Sequence, residues 1–370
     1  MVTLQHRSFI PSVLLASLFC LVLVALSVPL QASEPPRDER TQQENSSRYA
    51  LSARLGLEYD DNPLRQEGYT GRGDGLNRYL LGLDILTDLE GPGQVLLSLR
   101  HGGELYFLEP DARAFLTEVR ASLLFGLPFR LRLQLRGDLK DRIESASIRD
   151  YTRGGTELRL SRRFGLLHLQ TGAGLRYFSF KPTPASSNQG PRAQASASLE
   201  TFPDLYIEAG ATRVWRNYKS RAWIVEGDRF IPNQEGDLRS DRFDVLHATL
   251  RYEGDFTTSL GYLYARNRSN SYGQELTRHG LVATATAPLF WDLLLSGRGE
   301  VQRTRYEDPV VIDEIFFLDE ENRNSFAIAL ARPLFGDFEL EARYSLFLQE
   351  FGIDGRYQRQ LFGLSLVYVP

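Results

Sequence analysis

Residues 49–60 read YALSARLGLEYD, so that every odd position holds an apolar side chain and most even positions hold a polar or small one. The stretches 129–142 and 338–349 repeat this alternation. Because successive side chains of a β-strand point to opposite faces, each stretch predicts a strand with one apolar and one charged face. An α-helix would distribute the same residues around its whole circumference.

The same alternation recurs along the rest of the chain. Tight turns, as at 164–165, alternate with longer polar connections, as at 143–150 and 219–241. Strands of roughly ten residues, with short turns on one side and long loops on the other, are typical of outer-membrane barrels, and closure leaves no backbone polar group unpaired in lipid. We therefore predict an all-β fold, a transmembrane antiparallel up-and-down barrel of about 16 strands with short periplasmic turns and long extracellular loops. A soluble β-sandwich is the alternative.

The first residues predict export. Arg7 precedes an apolar run from Val13 to Leu30, and Ala32 ends a cleavage site. This pattern predicts a signal peptide at 1–32, followed by a disordered periplasmic segment at 33–47 and an outer-membrane barrel at 48–370. The expected location is the cell outer membrane. An N-terminal membrane anchor is the alternative, because a run of about 18 apolar residues can span a bilayer.

Composition excludes several kinds of site. Cys20 is the only cysteine and lies in the signal peptide, so we expect neither disulfides nor cysteine-bearing metal sites in the mature chain. The formal net charge is −4, which argues against nucleic acid as a partner. We expect no metal and no cofactor.

The polar faces of the strands are expected to line a charged lumen. One set of cations, which we call the basic arc, comprises Arg130, Arg132, Arg136, Lys140, Arg142, Arg159, Arg163 and Arg176. The acidic residues expected to face this lumen are Glu58, Asp60, Asp84, Asp88, Glu104, Glu118, Glu300, Glu339 and Glu341. A barrel of about sixteen strands is too wide for side chains to fill, so we expect a water-filled pore. The alternative is a set of salt bridges that fills and closes the barrel.

Two long connections contain apolar clusters. The 219–241 connection contains Trp223 and Phe230, and the 306–323 connection contains Phe316 and Phe317 among acidic residues. Because solvated loops rarely hold such clusters, we expect these loops to fold into or over the mouth and gate it. Plain solvated loops are the alternative.

The end of the first predicted strand reads Tyr59-Asp60-Asp61-Asn62-Pro63. This motif resembles the first-strand motif of barrels associated with exopolysaccharide and exosortase systems, and of surface-lipoprotein assembly modifiers. The resemblance implies a porin-like barrel that exports a polysaccharide. The final strand, with Phe362, Leu364, Leu366 and Tyr368 in alternation, resembles the terminal signal that the outer-membrane assembly machinery binds.

Three functions remain open from the sequence. The first is a pore or export channel for polar solutes, including an anionic polysaccharide. The second is a non-conducting structural or partner-binding barrel, and the third is a hydrolase at the rim that would use His168 or His279. Because no histidine lies in a recognisable catalytic pattern, we predict that the chain is not an enzyme. The expected partners are outer-membrane lipid and lipopolysaccharide, the assembly machinery, and a polysaccharide or export-system proteins.

Overall fold

The computed structural model describes residues 47–65, 72–89, 92–147, 149–227, 229–233, 236–308, 323–349 and 358–368. Within these residues, 16 strands form one closed antiparallel barrel in which the first strand pairs with the last. The predicted all-β antiparallel barrel is thereby confirmed. The predicted signal peptide at 1–32 and most of the segment that follows it lie outside the described residues.

The strands are numbered in chain order. The first half of the barrel contains β1 Ser47–Asp60, β2 Asp74–Asp88, β3 Gly93–Tyr106, β4 Ala114–Leu127, β5 Leu131–Glu144, β6 Tyr151–Phe164, β7 Leu167–Phe180 and β8 Asn188–Phe202. After β9 Leu205–Arg221, a separate hairpin is formed by β10 Trp223–Glu226 and β11 Arg229–Pro232. The barrel then continues with β12 Leu238–Glu253, β13 Thr257–Ser269, β14 Leu276–Pro288, β15 Leu294–Tyr306, β16 Arg323–Pro333, β17 Phe338–Gln349 and β18 Gln358–Tyr368.

The two ends of the barrel differ in their connections. At one end, which we call the turn end, neighbouring strands are joined by tight turns; Gly165, in the β6–β7 turn, has a φ of 59°, which side chains rarely tolerate. At the other end, the loop end, the connections are longer, and the one between β9 and β12 contains the hairpin. No helix in the described part of the chain is both long and apolar enough to cross a membrane.

The alternation in the sequence separates the two faces of the wall. On β1, the side chain of Leu57 is 63% exposed on the outside, whereas its neighbour on the inner face, Asp60, is completely buried. Residues paired in register share a face, so this assignment passes from strand to strand around the barrel. The outer wall is therefore largely apolar and the inner wall is largely polar.

Candidate functional site: the lumen

The basic arc lies mainly on three adjacent strands. Arg132, Arg136, Lys140 and Arg142 alternate along β5 and face inward, and their cross-strand partners on β6 and β7 place the remaining members on the same face. Arg130 is an exception. We expected it on a strand, but it lies in the tight turn before β5 with a φ of 58°, because the chain has to reverse direction there. It therefore lies at the turn end and not on the inner wall.

The structure pairs part of this arc with acids of the same wall. Nη2 of Arg159 lies 2.8 Å from a carboxylate oxygen of Glu157, and Nη2 of Arg163 lies 2.9 Å from one of Glu200. Arg142 pairs with Glu144. These pairs reduce the net positive charge of the arc.

Other members of the arc keep their charge uncompensated. Arg132, Arg136 and Lys140, together with Arg153 on β6, form no ion pair with any described residue. They are only partly buried or exposed, so water can reach them. Water-accessible cations without an ion-pair partner can attract an anion into the lumen.

Two cavities along this wall have an excess of positive charge. The cavity at the turn end has a volume of about 560 Å³, and its lining includes one glutamate and four arginines of the turn and the inner face, namely Arg130, Arg132, Arg163 and Arg251. A second cavity, of about 310 Å³, lies further along the same strands and is lined by six arginines and three acids. Arg132 lines the first and Arg136 the second, and four residues of a strand span about 13 Å. A continuous cationic surface therefore runs from the turn end into the barrel.

Sequence reasoning missed several residues of this surface. Arg192 on β8 and Arg216 on β9 line the second cavity, as does Glu157, which partners Arg159. The alternation on β8 and β9 could have identified the two arginines, because both occupy the even positions that face inward there. The hydrogen-bonded partner of Arg159 could not be identified from alternation alone.

The predicted acidic residues mostly pair with nearby arginines. Asp84 lies 2.6 Å from Arg100, and Glu118 lies 2.6 Å from Arg120. The other pairs, with their N–O distances, are Glu58–Arg78 at 3.1 Å, Glu104–Arg78 at 2.9 Å, Glu300–Arg298 at 3.1 Å and Glu341–Arg54 at 2.9 Å. Asp88 accepts a hydrogen bond from Gln94, and Glu339 lies on the inward register of β17. The acids therefore compensate local cations and do not form a separate acidic wall.

A buried polar cluster lies near the loop end, where β1, β3 and β18 approach one another. Arg359 donates from Nε and Nη2 to Oδ2 of Asp60, over 2.9 and 2.6 Å, and the Tyr106 hydroxyl donates to the same oxygen over 2.6 Å. Asp60 is completely buried and the Arg359 side chain is only 2% exposed. Since a buried carboxylate requires a partner, the cluster is held together by charge as well as by packing. We call these three residues the latch.

The acidic motif at the end of β1 also joins the first strand to the last. The backbone N–H of Gln360 donates to the Asp61 carboxylate over 2.6 Å, and the Asn62 amide donates to the carbonyl of Gln358 over 3.0 Å. In this structure, therefore, the motif closes the barrel.

Arg65 extends the latch toward the mouth. It lies beyond β1, 3.5 Å from Glu104. Burial lowers the pKa of Arg65 to about 10, and repulsion from Arg359 contributes to the shift. At neutral pH Arg65 remains protonated and holds its ion pair.

Apolar side chains also pack on other parts of the inner wall toward the loop end. Phe178 and Phe180 stack on β7 with ring centroids 6.5 Å apart, and both are buried. Further around the barrel, Val214, Phe243 and Ala265 form an apolar cluster. Buried apolar side chains therefore narrow the lumen toward the loop end.

The hairpin that carries two of the gating candidates packs against the β13–β14 connection. The backbone N–H of Trp223 donates a hydrogen bond to the Ser271 hydroxyl over 2.9 Å. The carbonyl oxygen of Trp223 accepts one from the backbone N–H of Tyr272, also over 2.9 Å. The Phe230 ring lies 5.3 Å from that of Tyr272. Phe316 and Phe317 lie outside the described residues. A gating role for these loops remains a prediction.

The described residues contain no group of three or more His, Cys, Asp or Glu side chains that could hold a metal ion. Two of the histidines contact tyrosines on the outer wall: the His101 ring lies 3.1 Å from the Tyr79 hydroxyl, and that of His279 lies 2.7 Å from the Tyr262 hydroxyl. His168 faces inward and lines the turn-end cavity.

No family model matches this sequence, and no curated protein matches it. Among solved structures, the chain is similar to in-vitro folded OmpT, an outer membrane protein of Vibrio cholerae, with 10% identity and a TM-score of 0.49 over 89% of this chain and 99% of that one. It is also similar to a mutant Rh. blastica porin, with 8% identity and a TM-score of 0.42 over 88% and 100% of the two chains. A bacterial polysaccharide outer membrane secretin matches with 9% identity and a TM-score of 0.43 over 86% and 98%. Similarity at this level transfers no function to this chain.

Neither the structure nor the comparisons support the prediction that the chain is not an enzyme. That prediction depended on the lack of a catalytic motif around the histidines. A missing motif does not exclude an active site, because a fold can bring catalytic groups together from distant positions. The prediction is therefore withdrawn.

Proposed function

We propose that this chain is an outer-membrane channel for anionic solutes, open toward the turn end and gated at the loop end. The observation that carries the proposal is the run of unpaired cations, Arg132, Arg136, Lys140 and Arg153, along one wall of a water-accessible lumen. Charges lining a narrow aqueous path select the sign of the permeating ion.

The outer wall supports a location within a bilayer. Leucines such as Leu55 and Leu57 project from it with more than half of their surface exposed, and a wall of this kind is stable only when lipid covers it. Phe129, Trp291 and Phe335 are exposed at the turn end. Aromatic side chains at that position favour a membrane–water interface.

An anionic polysaccharide is the solute class that we propose. Its repeated carboxylates or phosphates would contact successive arginines, and guanidinium groups bind such oxygens with two hydrogen bonds at once. The two cationic cavities are arranged in sequence along the wall, as a linear polyanion requires.

The selectivity of the channel tests the proposal. In planar bilayers under a salt gradient, the wild-type chain should show a reversal potential that favours anions, and Arg132→Glu/Arg136→Glu should reverse its sign. Arg303→Glu/Arg332→Glu changes the same charge on exposed, outward positions of β15 and β16 and should leave the selectivity unchanged. Equal selectivity in all three proteins would refute the proposal. A short polyuronate added on the turn-end side should block the wild-type current and not that of the reversed variant.

The second candidate function is a non-conducting structural or partner-binding barrel. The buried latch favours it, because Asp60, Tyr106 and Arg359 are packed away from water on the inner wall. Replacing residues 309–322 with a short Gly-Ser linker distinguishes the two functions. Conductance in either form supports a channel, and its absence in both supports the structural barrel.

A further inference from the structure

The outer wall contains a concentrated group of arginines close to the loop end. We call this group the outer arginine patch; on β9, β12, β13 and β15 it comprises Arg213, Arg242, Arg266, Arg268, Arg303 and Arg305. The register places these residues on the outward face, opposite to the inward Phe243, Ala265 and Arg278. Six cations therefore project outward from a wall whose other side chains are mostly apolar.

The patch is confined to one sector of the barrel. Strands β1–β8 and β16–β18 have neither arginine nor lysine among the described outward side chains of their loop-end halves. At the same level these strands present residues such as Leu57, Tyr79, Val119 and Phe326. If the rim simply needed charge, arginines would be spread around the whole circumference. Their restriction to this sector therefore indicates a function specific to it.

Acidic neighbours compensate only part of the patch. Arg213 pairs with Asp244 at 2.5 Å, and Arg266 pairs with Glu307 at 3.2 Å. By contrast, Arg268, Arg303 and Arg305 are exposed and form no ion pair with any residue that the structure describes. Cations at the edge of an apolar environment require counter-charges.

The surface next to the patch, toward the middle of the wall, suits an amphiphile. Tyr262, Tyr264 and Trp215 lie among or directly beside the arginines, and Leu246 and Leu281 follow further from the loop end. The sequence from arginine through aromatic to aliphatic matches a head group, an interface and an acyl chain. A soluble polyanion would have no use for the apolar part.

The cations are spaced for a ligand with more than one phosphate. Arg266 and Arg305 occupy one register row, two strands apart, with Thr277 between them, and neighbouring strands are about 4.8 Å apart. Their Cα atoms are therefore separated by about 10 Å. Guanidinium groups bind phosphate through paired hydrogen bonds and suit this role better than lysine.

We propose that the outer arginine patch is a binding site for the phosphorylated head group of lipopolysaccharide, with the acyl chains lying along the aromatic and leucine surface next to it. This inference rests on the proposed outer-membrane location, with the loop end outward, and does not require that the barrel conduct. The site is distinct from the lumen because its side chains leave the opposite face of the same strands.

Binding of purified lipopolysaccharide to the mature barrel in detergent tests the proposal. Arg268→Gln/Arg303→Gln/Arg305→Gln should weaken binding by about tenfold or more, since one charge-assisted hydrogen bond corresponds to roughly that factor. Arg48→Gln/Arg162→Gln/Arg332→Gln removes the same charge near the turn end, at two outward positions and, for Arg48, on the inner face, and should bind as the wild type does.

Two further ligands show whether the patch binds the phosphates of lipopolysaccharide or free phosphate in general. Dephosphorylated lipopolysaccharide should bind at least tenfold more weakly than the native lipid, and inorganic phosphate alone should not raise the unfolding temperature. Unchanged binding in the loop-end variant, or equal losses in both variants, would overturn the proposal. If the wild type never conducts but the loop-end variant loses lipopolysaccharide binding, the binding site is supported and the proposed channel is refuted.

Discussion

Removing the arginine of the latch should destabilise the barrel far more than removing an exposed arginine does. Arg359→Met leaves Asp60 buried with the hydroxyl of Tyr106 and the N–H of Asn62 as donors, but without a counter-charge. Breaking a buried ion pair by removing one partner costs about 3–5 kcal/mol. We expect a loss of that size in the free energy of unfolding.

The matched control is Arg298→Met. Arg298 also faces the lumen and pairs with Glu300, but its side chain is 59% exposed, so water screens the pair. An exposed pair contributes less than about 1 kcal/mol. The double variant Asp60→Asn/Arg359→Met removes both buried charges and should recover most of the stability that the single variant loses.

Equilibrium unfolding in urea, followed by tryptophan fluorescence of the barrel in detergent, measures all four proteins. The expected order of stability is wild type and Arg298→Met, then the double variant, then Arg359→Met. If Arg359→Met lost no more than the control, or if the double variant were less stable than the single one, the reasoning about an uncompensated buried charge would be refuted.

Two further predictions concern pH and packing. Burial, and after it a hydrogen bond with Glu307, raises the pKa of Glu275 above its ordinary 4.5, so the folded state loses stability as the pH rises from the ordinary pKa through the raised one. In urea unfolding, Glu275→Gln should therefore be more stable than the wild type at pH 7 and equally stable at pH 3. An equal effect at both pH values would contradict this. A Cβ at Gly174 would lie 2.0 Å from the carbonyl oxygen of Thr156, so Gly174→Ala should cost about 1–3 kcal/mol. Gly299→Ala, where no described atom lies within 4 Å, is the control and should be neutral, as measured by unfolding temperature.

The fold could be predicted from the sequence because alternation and turn residues specify strands locally. For β6, we expected 151–163 and the structure has Tyr151–Phe164. Where a strand extends beyond the alternating region, the predicted start is too late. For β12 we expected a start at 242, and the strand begins at Leu238. The hairpin at 223–232 was missed because its short strands resemble a loop with an apolar cluster.

The site was predictable only in part. Alternation alone predicts the lumen side for Arg132, Arg136 and Lys140, because the side chain's face follows from its position along the strand. It could not show that Arg359 pairs with Asp60, since those residues are 299 positions apart and their contact depends on closure. Which charged side chains form ion pairs and which remain free to bind a solute depends on the residues that face each other across strands. The strand register determines this, and the sequence pattern does not show the register.

The latch also has a consequence for the order of folding. It joins residues near the two ends of the barrel domain, so forming it before the intervening strands assemble would require closing the longest loop of the domain. Since β1 and β18 are neighbours, a circularly permuted chain that links residues 47 and 368 and is cut at the β9–β12 connection could retain every strand pair. In that chain Asp60 and Arg359 would be close in sequence, and the seam between β1 and β18 would change from the last event of assembly to one of the first.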